Sequence, residues 1–160
     1  MAAKILAMQA NHSTPEGKTR RLRSALLWVC ALSAMSAFAQ ELPMKIRLHV
    51  NSDMATATLV DNATARDFAA LLPLSLTLVE FAKVERIGDL PRKLSTAGAP
   101  VGMDPVAGDI TYYAPWNNLA IFAGDNVYAN GLVRIGKVDT GLVALQRPGP
   151  LKVRIERIQD

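Results

Sequence analysis

Apolar and polar positions alternate along much of this chain, in runs too short for anything but strands. KIRLHV (Lys45 to Val50) sets Ile46, Leu48 and Val50 against Lys45, Arg47 and His49, a strand with one wet face. Asn51-Ser52-Asp53 is turn material, and ATATLV (Ala55 to Val60) follows as a second strand, so the two predict a hairpin. LSLTLVEF (Leu74 to Phe81) alternates again, with Glu80 continuing the parity of Leu74, Leu76 and Leu78. That carboxylate is either a strand end emerging into solvent or a pocket acid at a barrel rim. Ile110 to Tyr113, Leu119 to Phe122, Gly131 to Val138 and Leu151 to Ile158 complete the strand-like runs. Gly136 marks a bulge or a close contact.

Two stretches change period. From Ala63 to Leu72, Phe68, Leu71 and Leu72 fall at i, i+3 and i+4, one face of a short helix. Asn62 or Thr64 is placed to cap it, and Pro73 ends it. LVAL (Leu142 to Leu145) reads as a short turn or helix. KVERIGDLPRKL (Lys83 to Leu94), broken by Gly88 and Pro91, gives no clear element, and Ser95 to Asp104 is loop. Seven or eight short strands, one or two short helices and no βαβ rhythm predict a mainly β fold. A small closed barrel with capping helices suits half-wet strands in this length, since closure removes recruiting edges. A β-sandwich is the alternative.

The first 39 residues do not fit that domain. Lys18, Arg20, Arg21 and Arg23 precede the apolar run ALLWVCALSAMSA (Ala25 to Ala37), which leads into Ala37-Phe38-Ala39. A charged segment, a short apolar segment and an A-x-A site predict a secretory signal peptide cleaved after Ala39, with a retained anchor as the alternative. The run is shorter than the roughly 20 residues of a comfortable membrane span. The expected product is one exported domain, residues 40–160, periplasmic or secreted, with no stable membrane insertion.

That reading alters the charge. The leader carries five of the 18 basic residues and one of the 14 acidic ones, so the formal net charge falls from +4 to zero. The argument for nucleic-acid binding from a basic chain goes with it. The only Cys, Cys30, also lies in the leader, which leaves the domain without disulfides, a thiolate nucleophile or Cys-bound metal.

Catalytic devices are sparse. His49 is the domain's sole His, and no H-E-x-x-H or G-x-S-x-G pattern supports a zinc site or a triad. The residues call for no metal and no cofactor, and they leave open whether the chain is an enzyme. Glu80, Glu85, Asp89 and Asp109 are available as carboxylates, but pairing is spatial and the sequence does not reveal it. Arg92-Lys93 is the densest positive point, suited to a carboxylate ligand or to a solvated loop. APWNN (Ala114 to Asn118) is a stiff corner. Pro115 fixes φ, while Asn117 and Asn118 close the turn or take left-handed geometry. Trp116 is either a core plug or part of a pocket or interface, and of Tyr112 and Tyr113 one faces inward. Tyr112, Tyr113, Trp116, Asn117, Asn118, Glu80 and Arg92 are therefore the candidate ligand-binding residues.

ERIGDLPRKLS (Glu85 to Ser95), AGAPVGMDPVAGDITYYAPWNNLAIF (Ala97 to Phe122) and LVRIGKVDTGL (Leu132 to Leu142) resemble the small bacterial cyclophilin-like proteins, over about Met44 to Ile158. The resemblance implies a closed β-barrel with short capping helices. Cyclophilins themselves turn prolyl bonds in a groove with a key Arg, a Phe-lined pocket and a backbone-anchoring Gln. No segment here resembles those groove motifs; Arg86 and Arg92 are the weak catalytic candidates by residue type alone. The expected role is non-catalytic binding of a small molecule or peptide, with prolyl isomerisation in an altered groove as the alternative.

Overall fold

The computed structural model describes residues 43–159; the stretch read as a signal peptide lies outside them. The first hairpin pairs β1 (Lys45–Val50) with β2 (Asp53–Leu59) across a turn in which Asn51 takes φ 51°. The alternation seen in sequence is the burial pattern: Ile46, Leu48 and Val50 are buried, and Ala55, Ala57 and Leu59 face them. Helix α1 (Ala63–Ala69) starts at Asn62, whose Oδ1 accepts the Ala65 N–H at 2.7 Å. That bond satisfies one of the orphan donors of the first turn. The helix is shorter than the periodicity predicted, and Leu71 and Leu72 pack on the core from beyond its end.

Strands β3 (Leu74–Phe81), β4 (Glu85–Asp89), β6 (Asp109–Tyr113), β7 (Asn118–Phe122), β9 (Leu132–Thr140) and β10 (Leu151–Arg157) join β1 and β2 in a closed antiparallel barrel. Its order is β1-β10-β3-β4-β7-β6-β9-β2. The closed-barrel expectation holds and the sandwich alternative does not. Inward-facing Leu78, Ile110, Leu119, Ile121, Val153 and Ile155 fill it, together with Phe68 from α1 and Leu145 from α2 (Leu142–Leu145). Burying such aliphatic and aromatic side chains contributes about 1.5–3 kcal/mol each before the entropy of ordering is subtracted.

Gly136 meets both expectations. Strand β9 shifts register against Ile110 and Thr111, so that it carries one extra residue there. A Cβ on Gly136 would also lie 2.8 Å from the Thr58 carbonyl of β2.

The barrel is covered on part of its outside. β5 (Gly102–Met103) pairs with β8 (Ala129–Asn130), and Met103 and Ala129 pack on outward-facing Ala120, Phe122 and Leu132. A side chain at Gly102 would collide with the Ala129 carbonyl, so this pairing requires glycine. Because β7 is covered on both faces, all five of its residues are buried. No helix among the described residues is long and apolar enough to cross a membrane.

Candidate functional site

The β6–β7 corner presents the most exposed aromatic surface near the covered face. Residues Ala114 to Asn117 join Tyr113 and Asn118, which are cross-strand partners. The Asn117 N–H donates to the Ala114 carbonyl at 3.3 Å, and Asn117 takes φ 55°, a left-handed geometry that Asn tolerates. Both polar atoms of its side chain are engaged: Oδ1 accepts from the Tyr112 hydroxyl at 3.1 Å, and Nδ2 donates to the Leu90 carbonyl at 3.1 Å. Gly131 lies beneath the corner at φ 77°, where a Cβ would come 2.8 Å from Pro115 Cδ. Pro115 and Gly131 together set the height at which Trp116 projects.

Trp116 is 55% exposed. Its ring centroid lies 5.4 Å from that of Phe81 and 5.4 Å from that of Tyr113, both edge-to-face. This geometry suits the ring quadrupoles and holds an otherwise solvated indole in place. The three rings form one wall of a cleft of about 240 Å³ on the outer face, also bounded by Phe122, Leu132 and Val127. Trp116 is therefore no core plug; it stands half-exposed at the edge of the cleft.

The strand register builds the cleft floor in rows. Phe81, Glu85 and Phe122 are successive partners across β3, β4 and β7, so a carboxylate stands between two phenyl groups. Asn118, Tyr113 and Leu132 form another row across β7, β6 and β9. Asn118 is 2% exposed and lines the cleft, and its Oδ1 has no hydrogen-bond partner among the described residues. A buried acceptor left unpaired costs about 1–3 kcal/mol.

Among the described residues, Glu85 is the only side chain of Asp, Glu, Lys, Arg or His type lining the cleft. Burial pushes its carboxyl pKa up, partly opposed by the hydrogen bond that Asn126 Nδ2 donates to Oε1 at 2.8 Å. The other candidate carboxylates do not join it. Asp109 is buried against Arg134 at 2.8 Å and accepts the Val106 N–H at 3.0 Å. Glu80, next to last in β3, is half-exposed, 3.2 Å from Arg86, in a neighbouring recess. A pair of carboxylates for sugar hydrolysis is thus not assembled in this cleft.

Of the candidate binding residues, Tyr113, Trp116 and Asn118 converge. Tyr112 points into the barrel core, and its hydroxyl accepts the Leu94 N–H at 3.3 Å. Arg92 is occupied elsewhere, bound to Asp67, which also accepts the Ser95 N–H at 2.8 Å; these contacts hold Asp67 below the usual carboxylate range. Arg86 is 3% exposed. Its Nε donates to the Leu145 carbonyl at 2.8 Å, and its other nitrogens bind the Arg147 and Gly149 carbonyls and Glu80. It is a clamp on the α2–β10 connection, with no donor aimed into the cleft. His49 lies on another face, 3.0 Å from Glu156.

Sequence reasoning missed Phe81, Glu85, Phe122 and Asn126 as cleft residues. For Glu85 and Ile87 the signal was present as an i, i+2 pair, yet the intervening Arg86 is the buried one. No group of His, Cys, Asp and Glu side chains among the described residues is placed to hold a metal ion.

Comparison with solved structures finds a hypothetical protein from Archaeoglobus fulgidus, determined in solution, at a TM-score of 0.56 and 20% identity, covering 72% of this chain and 95% of that one. At that identity the likeness concerns the fold alone. No curated protein sequence matches the chain. The model of the cyclophilin-like family matches residues 48–156, which span the barrel but for the outer ends of β1 and β10, and the chain therefore belongs to the cyclophilin-like family.

Proposed function

We propose that this domain is a non-catalytic binding module, exported by the apolar leader, that takes a small molecule or the side chain of a peptide into the outer-face cleft. One observation carries the reading: a half-exposed Trp116, fixed between Phe81 and Tyr113, walls a cleft at which the buried Asn118 Oδ1 waits without a partner. Apolar walls with a few convergent polar groups are the usual form of a small-molecule site. The preset rings and the fixed corner lower the ordering cost of binding.

Prolyl isomerisation draws no comparable support. Neither arginine proposed for it reaches the cleft, since Arg86 clamps carbonyls and Arg92 binds Asp67. No cationic side chain lines the cleft among the described residues. Family membership by itself does not carry an activity.

The test is a calorimetric and thermal-shift screen of the full-length protein against a fragment library and a set of proline-containing peptides, repeated with Trp116→Ala. The expected result is saturable binding that is lost in the variant, with the cis–trans rate of the peptides equal to the uncatalysed rate. Ligands that bind Trp116→Ala as well as the parent would overturn the site. Catalysed isomerisation would replace the binding reading with the enzymatic one.

A further inference from the structure

Charge sets the cleft apart from an ordinary apolar hollow. Its walls are aromatic and aliphatic, and its single charged group among the described residues is Glu85, held between Phe81 and Phe122 by the strand register. Asn126 donates to Oε1 of that carboxyl, and among the described residues no hydrogen bond reaches Oε2. Lys83 and Arg86 border a neighbouring recess that shares Glu85, but Arg86 is already spent on three carbonyls and Glu80. The second free acceptor, Asn118 Oδ1, lies four residues further along β7 from the partner of Glu85, roughly 13 Å at strand spacing. Both unfilled polar positions therefore want hydrogen-bond donors, and one of them wants positive charge. Rings of Trp, Tyr and Phe present negative π-faces, which attract ammonium groups where water is displaced.

Resting on the binding reading above, we propose that the cleft selects a small organic cation: an amine whose ammonium sits at Glu85 beside the Phe81 and Phe122 rings, with an apolar body lying along Trp116 and Tyr113. A ligand long enough to reach Asn118 places an N–H or O–H there. An anionic ligand of the same shape would confront Glu85 with no cationic side chain among the described residues lining the cleft to offset it. A neutral one would leave a half-buried carboxyl facing an apolar group.

The test uses three probes that share a phenyl ring and a short linker: phenethylamine, phenethyl alcohol and 3-phenylpropionate. Each is titrated into the full-length protein by calorimetry at neutral pH, and into Glu85→Gln, which keeps an acceptor for Asn126. The amine is expected to bind the parent about tenfold more tightly than the alcohol or more, with the propionate weakest. In Glu85→Gln the amine and alcohol should bind alike. Equal binding of amine and alcohol to the parent would overturn the cation proposal while leaving the cleft a binding site. An amine preference that persists in a folded Glu85→Gln, or no binding by any of the three, would overturn it as well. The parent comparison decides the matter if the variant does not fold.

Discussion

Glu85 is a carboxyl carried out of water by Phe81 and Phe122 on either side, and this has a consequence for stability. Its folded-state pKa is raised, burial being the larger cause and the Asn126 hydrogen bond the smaller, opposing one. The neutral form is thus favoured by folding. Its stabilising effect is complete below the ordinary glutamate value of about 4.3 and is lost as pH rises through the raised value. Glu85→Gln removes the titration and keeps the acceptor. Thermal melts should therefore show the variant gaining on the parent from pH 4 to pH 7, with the two converging at the acid end. A gap that is constant with pH would contradict this account. Trp116 makes the complementary case. Two edge-to-face contacts at 5.4 Å, on a side chain still half in water, point to a loss of about 1–2 kcal/mol for Trp116→Ala in urea unfolding. Ligand affinity should fall by about tenfold or more, since a large aromatic anchor at the centre of a site carries a disproportionate share of binding.

At the scale of elements, Arg86 shows how a strand can reverse its expected polarity. In β4 the buried positions belong to Arg86 and Gly88, while Glu85 and Ile87 face outward. An apolar/polar pattern cannot announce a strand whose inward places hold a guanidinium and a hydrogen, and for this reason Lys83 to Leu94 gave no element. The guanidinium replaces an apolar side chain by binding the carbonyls of Leu145, Arg147 and Gly149 at the end of α2. Arg86→Met strands these acceptors and frees the α2–β10 connection; a loss of about 3 kcal/mol is expected, measured as a lowered urea midpoint. Arg86→Lys should recover little, because an ammonium cannot span three carbonyls as the fork does. Strands β1, β2, β3 and β10 were legible because each keeps one wet face, and Asn62 was legible as a cap from its place before the helical run. The pair β5–β8 was not: two residues per strand carry no period, and only the Gly102 contact with Ala129 shows why they meet.

For the whole molecule, closure of the sheet and the side of the barrel that carries the site are separate matters. Half-wet strands in a short chain point to closure, and the APWNN context points to the family. The cleft depends on which outer face becomes covered, and that is decided by β5 and β8 packing over Ala120 and Phe122. A trace of this existed in NLAIF, an unbroken apolar run where a half-wet strand would alternate. Trp116 and Tyr113 were found because an aromatic corner is conspicuous in sequence. Phe81 and Glu85 were not, because their place beside Trp116 arises only when β3, β4 and β7 come into register. Arg92 drew attention by charge density, yet its partner is Asp67 of α1. The most direct test of the outer-face cleft follows amide and indole signals of the full-length protein by nitrogen–proton NMR while a ligand from the screen is added. The account predicts saturable, parallel shifts of the Trp116 indole N–H and the Asn118 and Asn126 side-chain amides, with the Asn117 amide, locked to Tyr112 and Leu90, nearly still. Shifts that gather instead around His49 and Lys152, with Trp116 and Asn118 unmoved, would contradict it.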